Sequence, residues 1–272
     1  MIRGLYTAAS AMIAQQRRQE MLSNNLNNVD TPGYKQDQDR LRSFPEMLID
    51  RLGGDRPNPQ RVGTIATGVY QDETIPDFTQ GKLKETGKAT DVALITSQLP
   101  VNPQTGAQEG ALLFNVRTPA GEARYTRNGH FTLSPRGELT DSNGNLVLST
   151  AGQPIRLPSD QFDLTPDGTI LLNGAAADQI AVSYAADPHQ LVKEGGSLFR
   201  LNGGDALPAA AGQADIAYTL KQGFTEGSNV SPDETVTDMM AAYRAFEASQ
   251  KVILMLDQSL DKAVNQVGRV NG

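Results

Sequence analysis

The chain has 272 residues, 38% hydrophobic, with no Cys and two His, so one or two domains fit, while disulfides, Cys-ligated metal sites, a Cys nucleophile and multi-His metal centres are excluded. A formal net charge of −7 argues against nucleic acid and anionic membranes as partners. No apolar run reaches the roughly 18 residues of a transmembrane helix, and the roughly 7–15-residue apolar stretch of a secretory signal is missing, because Gln15-Gln16-Arg17-Arg18 arrives too early.

Residues 2–28 have no Pro and no Gly after Gly4. In alternating steps of three and four they read Leu5, Ala8, Met12, Gln15, Gln19, Leu22, Leu26 and Val29, a mostly apolar heptad stripe that predicts a helix packing on another helix. Asp30-Thr31-Pro32-Gly33 stops it, with Pro-Gly suited to the two central positions of a type II turn. Residues 34–80 hold scattered Pro and Gly and predict a short helix around 44–52, then an extended arm.

From about 81 to 222 turn signals recur, among them Asn128-Gly129, Pro135-Arg136-Gly137, Asn143-Gly144, Asp167-Gly168, Asn173-Gly174 and Gly195-Gly196. Short apolar or alternating runs such as 112–116 and 180–184 lie between them, which predicts an all-β domain. Ser231-Pro232-Asp233-Glu234 then starts a second helix, with Ser at the N-cap, Pro at the first helical position and acid at the positive end of the dipole. Its stripe runs Val236, Met239, Tyr243, Phe246, Gln250, Ile253, Asp257, Leu260, Val264 and Val267, over roughly 50 Å of helix.

The fold class is therefore α+β: N- and C-terminal heptad helices pairing as a coiled-coil-like layer, and a central turn-rich all-β domain. The expected layout is a helix over 1–30, an arm over 31–80, the β domain over 81–222 and a helical end over 223–272. Grouping the polar seam positions, Gln15 with Asp257 and Gln19 with Gln250, gives an antiparallel register in which facing residue numbers add to about 270. Apolar residues also spread beyond one stripe, with Ala9, Ile13 and Met21 on the first helix and Met240, Val252, Leu254, Met255 and Leu256 on the second. A pair of helices buries one stripe each, so a second apolar face calls for further neighbours. Two readings follow: a stalk holding the β domain, or an assembly protein whose terminal helices pack between subunits.

Signals for catalysis or a cofactor are weak. There is no Gly-x-Ser-x-Gly elbow, P-loop or dinucleotide fingerprint. His130 follows a hairpin signal and reads as a surface strand residue, and His189 sits in a turn after Asp187-Pro188. Asp141-Ser142-Asn143-Gly144-Asn145 lacks the Gly and Glu spacing of a calcium loop and reads as a hairpin loop. The Asn-rich run Ser23-Asn24-Asn25-Leu26-Asn27-Asn28 is unusual at the end of a helix; its amides either cap a fraying terminus or bond neighbouring helices in a crowded assembly.

That run continues into Val29-Asp30-Thr31-Pro32-Gly33-Tyr34-Lys35, and the whole resembles the N-terminal signature of the flagellar basal-body rod and hook family. Two further segments resemble the family in its order. One is Tyr125-Thr126-Arg127-Asn128-Gly129-His130-Phe131, in the β region; the other is Glu226-Gly227-Ser228-Asn229-Val230 with Tyr243-Arg244-Ala245-Phe246-Glu247-Ala248, at the C-terminal end. The length is similar to that of the rod branch. Residues 96–110 depart from the pattern of distal-rod relatives, lacking their Gly-Phe-Phe.

The resemblance implies a structural, non-enzymatic subunit without a cofactor. It implies a subunit that polymerises through its terminal helices with itself and neighbouring rod or hook subunits, transmits torque, and leaves the cell through the flagellar export apparatus without a cleaved signal peptide. An expected assembly interface then comprises Leu5, Met12, Leu22, Leu26, Val29, Val236, Met239, Tyr243, Phe246, Ile253, Leu260 and Val264, with Asn24, Asn25, Asn28, Thr31, Pro32, Gly33 and Tyr34 as family-motif positions. The alternative is a secreted β-domain enzyme or adhesin on a coiled-coil stalk.

Overall fold

The computed structural model describes residues 2–44, 47–51, 60–65, 67–101, 108–203 and 206–265. The chain divides into two compact units. One comprises Met1–Leu26, Asp37–Ile75 and Ser231–Gly272, the other Asn27–Gln36 and Pro76–Val230.

The first unit is built on two helices, α1 (Ile2–Asn27) and α2 (Pro232–Asn265). Helix α2 begins where Ser231-Pro232 places it, and the Thr235 N–H and hydroxyl both donate to the Ser231 carbonyl at 2.9 and 2.7 Å. Along α2, Thr235 and Ala242 are buried and Met239, Phe246, Ile253 and Leu260 half-buried, the repeat of one helix face. On α1 the buried residues are Ala8, Ala14, Leu22 and Asn25. Where a Cβ on Gly4 would stand, Leu256 Cδ1 lies 3.3 Å away. Those two residue numbers add to 260, about three helical turns from the register expected from the polar positions. Gln250 and Asp257 are exposed, so they do not form the buried polar layer that register assumed.

Strands β1 (Asp37–Ser43), β2 (Met47–Arg51), β3 (Gln60–Ile65) and β4 (Val69–Pro76) follow α1. β1 pairs with β4, and β2 pairs antiparallel with β3. The helix expected around 44–52 is thus a strand over Met47–Arg51. Its run Met47-Leu48-Ile49 is too short for periodicity to separate strand from helix, and the pairing with β3 decides. The ribbon is anchored on α1: Thr7 Oγ1 donates to the Thr67 carbonyl at 3.0 Å, and Ser10 Oγ accepts from the Val69 N–H at 3.4 Å. At its base the Phe44 and Tyr70 rings stand 5.3 Å apart.

The second unit is all-β and antiparallel. In chain order its strands are β5 (Leu83–Glu85), β6 (Val92–Gln98), β7 (Ala111–Arg117), β8 (Ala123–Thr126), β9 (Phe131–Leu133), β10 (Leu139–Asp141), β11 (Leu146–Val147) and β12 (Asp163–Leu164). They continue as β13 (Thr169–Leu172), β14 (Ala175–Gln179), β15 (Val182–Ala185), β16 (Leu191–Glu194), β17 (Leu198–Leu201), β18 (Ala217–Gln222) and β19 (Phe224–Glu226). The main sheet runs β16-β17-β8-β7-β11-β10-β9, with β15 also on β7; β12-β13-β14, β18-β6 and β19-β5 form smaller sheets.

β7 carries the core because it is buried on both faces, as an interior strand must be when material packs on either side. Leu112, Phe114 and Val116 join one apolar cluster, and Ala111 and Leu113 the other. Phe114 meets Phe131 edge-on at 5.3 Å between ring centroids.

Most turn signals close hairpins. Pro135-Arg136-Gly137 joins β9 to β10, Asn143-Gly144 joins β10 to β11, and Asn173-Gly174 joins β13 to β14. Asp141, read as a hairpin position, accepts through Oδ1 from the Asn143 and Asn145 N–H groups at 2.8 and 2.9 Å. Asn128-Gly129 is different, since β8 and β9 are not neighbours. Gly129 is there because the backbone crosses Val92: a Cβ would stand 1.7 Å from the Val92 carbonyl oxygen.

Candidate assembly interface

Both helices leave large apolar side chains in water. Tyr6 and Ile13 are exposed on α1, and Val236, Met240, Tyr243, Val252, Leu254 and Met255 on α2. At about 100° per residue, Val236, Met240, Tyr243 and Leu254 fall on one line along α2, well round from the face that holds Ala242 and Ile253. An exposed stripe of this kind is a candidate interaction surface, since isolated soluble chains seldom keep large apolar patches in water. Among the described residues no helix is long and apolar enough to cross a membrane.

The residues expected at the interface divide between the two faces. Leu22 is buried; Leu5, Met12, Leu26, Val29, Met239, Phe246, Ile253 and Leu260 are half-buried; Val236 and Tyr243 are exposed. The side chain of Val264 lies outside the described residues. A heptad count treats Val236 and Tyr243 as equivalent to Met239 and Phe246, but at about 100° per residue each stands roughly 60° further round, on the exposed side of the stripe.

The family-motif positions serve the chain's own fold. Asn24 is exposed. Asn25 is buried, its Nδ2 donating to the Asp37 carbonyl at 2.8 Å and its Oδ1 accepting from the Asp37 N–H at 3.0 Å, so it fixes the start of β1 as a paired strand would. Thr31 donates to Asn28 Oδ1 at 3.2 Å, and the Tyr34 N–H closes on the Thr31 carbonyl at 3.3 Å. Pro32 and Gly33 occupy the two centres of this turn, and the φ of +68° at Gly33 is what the second centre of a type II turn requires. Gly33 also presses on the β unit, where a Cβ would stand 2.4 Å from the Asn128 nitrogen. Tyr34 is buried beneath Lys193, whose Nζ lies 3.7 Å from the ring centroid.

The three sequence motifs meet at Glu226. Its Oε2 accepts from Arg127 Nε at 2.6 Å, its Oε1 from Lys35 Nζ at 2.6 Å and the Gly81 N–H at 2.9 Å, and its carbonyl from the Gly33 N–H at 2.7 Å. Arg127 also donates to the Leu112 and Leu94 carbonyls at 2.7 and 2.8 Å and to Thr96 Oγ1 at 3.3 Å, and Lys35 reaches the Thr79 carbonyl at 2.7 Å. The Lys35, Glu226 and Arg127 side chains are 0%, 1% and 4% exposed. Burial alone would raise the Glu226 carboxyl, but Arg127 and Lys35, with the Lys35 and Gly81 hydrogen bonds, outweigh it and hold the group below the ordinary carboxylate range. Burial pulls the Lys35 ammonium below its ordinary value against the attraction of Glu226, and Arg127 adds to the lowering.

In sequence these three residues lie inside motifs with no role of their own. The available signal was an ionisable residue set among small uncharged ones, as in Thr126-Arg127-Asn128-Gly129 and Thr225-Glu226-Gly227. The remaining candidates are modest: His130 Nδ1 lies 2.7 Å from Asp91 Oδ1, and His189 follows its helix cap Asp187 in an exposed turn.

Three known family segments match the chain. Residues 5–35 match the flagella basal body rod protein family, 107–172 the flagellar hook protein FlgE/F/G D1 domain, and 221–267 the flagellar basal body rod FlgEFG protein C-terminal segment. Flagellar hook-basal body complex protein FlhO of Bacillus subtilis is 46% identical, over 99% of this chain and 100% of its own length. Flagellar basal-body rod protein FlgG of Borreliella burgdorferi is 30% identical over 97% and 98%. Flagellar basal-body rod protein FlgF of Salmonella typhimurium is 31% identical over 95% and 96%. Lys35, Arg127 and Glu226 each fall inside one of the three matched segments, and with end-to-end similarity of this extent the chain belongs to the flagellar basal-body rod protein family.

Proposed function

We propose that this protein is a structural subunit of the flagellar rod within the hook-basal body complex, joining copies of itself and neighbouring rod or hook subunits through its terminal helices to transmit torque. The observation that carries the reading is the exposed apolar stripe of α2, matched on α1 by Tyr6 and Ile13, in a chain whose relatives are hook-basal body and rod proteins. The half-buried faces through Met12, Leu26, Phe246 and Ile253 supply the coiled-coil-like layer in which α1 and α2 pair, and residues 81–222 form a separate β module. The protein works without catalysis or a cofactor. Export through the flagellar apparatus without a cleaved signal peptide delivers it outside the cytoplasmic membrane.

Recovery of a tagged full-length chain with isolated basal bodies tests this. The chain should co-purify with the rod, and its loss should abolish motility. Polysaccharide turnover that disappears when a pair of acidic residues is replaced, in a chain absent from basal bodies, would support the enzyme reading instead.

A further inference from the structure

We infer that Thr31–Gln36 is a latch on the β unit, closed by Lys35, that opens without unfolding that unit. The charge cluster is asymmetric. Glu226 and Arg127 complete each other: one carboxylate oxygen takes Arg127 Nε, the other keeps the Gly81 N–H, and the rest of the guanidinium is held by the Leu94 and Leu112 carbonyls and the Thr96 hydroxyl of β6 and β7. That pair is neutral and satisfied before Lys35 arrives. Lys35 brings a second buried cation to a carboxylate already shared, so the three groups carry one excess positive charge, which the half-buried Asp77 nearby offsets only in part. Thr79 contributes a carbonyl, not a charge. Of the three ionic groups, Lys35 is the one whose departure leaves no charge unpaired.

The segment around it is held in a way that suits release. Its backbone joins no sheet of the β unit. Besides the Tyr34 ring under Lys193, its backbone is tied by separate bonds: Gly33 N–H to the Glu226 carbonyl, Gln36 N–H to Asn229 Oδ1 at 2.7 Å, Asp77 N–H to the Gln36 carbonyl at 2.8 Å, and Lys193 Nζ to the Lys35 carbonyl at 2.9 Å. Lys35 and Glu226 lie 191 residues apart, so the latch closes only on a chain whose C-terminal motif is already in place on β19. Closure thereby makes the connection that follows α1 depend on the folding of the last strand before α2.

Amide hydrogen exchange on the full-length chain tests the latch, comparing Gly33, Tyr34 and Gln36 with the β7 amides of Leu113 and Phe114. Lys35→Met is expected to speed exchange at the latch amides by about tenfold or more while leaving β7 unchanged. Glu226→Gln, which strips the carboxylate from two buried cations, is expected to speed both sets. Two results would overturn the inference: Lys35→Met accelerating β7 as much as the latch, which makes Lys35 part of the core, or Lys35→Met accelerating neither, which leaves the latch closed by something else. The comparison is made within one chain, so its outcome is separate from whether the helices assemble.

Discussion

Replacing Met240, Tyr243 and Leu254 together by Gln separates an assembly surface from a folding surface. These side chains are 56%, 56% and 55% exposed and share one face of α2. Full burial of a large apolar side chain is worth about 1.5–3 kcal/mol. With roughly half of each still in water, an interface stands to gain about 1 kcal/mol per residue, or about 3–4 kcal/mol for three. At 1.4 kcal/mol per decade, the variant should bind its neighbours a few hundredfold more weakly. The isolated chain should barely change, because Gln is as good a helix former as Met or Leu and exposed substitutions usually stay within about 0.5 kcal/mol. The assay pairs far-ultraviolet circular dichroism of the purified chain with the fraction of subunit recovered in isolated basal bodies. Incorporation at the wild-type level would refute the assignment of this face to an interface. Loss of helix in the isolated chain would also refute it, by showing that the face supports the subunit's own fold.

Two further perturbations probe the β unit. Gly129→Ala forces a methyl into the Val92 carbonyl, 1.7 Å from where it would stand, and backbone on both sides has to move; the expected loss is about 3–5 kcal/mol in a denaturant titration, and a loss below about 1 kcal/mol would contradict the close approach. Acidification tests Glu226. Because its carboxyl is held below the ordinary value of 4.5 in the folded chain, its contribution is fully present above that pH and is lost as pH falls through the lowered value. The wild-type stability curve should therefore be steeper on the acid side than that of Glu226→Gln by about one proton, and equal slopes would contradict the buried pairing.

The sequence signals that proved legible are local ones. Ser231-Pro232 marks the start of α2 because capping is settled within a few residues, and Pro32-Gly33 marks the turn after α1 for the same reason. The turn dipeptides located most β hairpins. Asn128-Gly129 did not form one, because its Gly answers a contact 37 residues away in sequence, which no local pattern encodes. Met47–Arg51 became a strand for a similar reason, its partner being β3. The outer face of α2 was legible as surplus apolar residues, but its membership was not: Val236 and Tyr243 belong to it because the two positions of one heptad stripe stand roughly 60° apart on the helix, and only one of them faces inward here. Lys35, Arg127 and Glu226 lay in plain view within three motifs, yet their meeting depends on tertiary closure across 191 residues.

Cryo-imaging of basal bodies carrying a label on the β unit, in place of an exposed turn such as Asn173-Gly174, locates the subunit directly. Label density should surround the axial rod, at a fixed distance from its axis. Label that is absent from the basal body in motile cells, or present only as free secreted protein, would contradict a place in the rod.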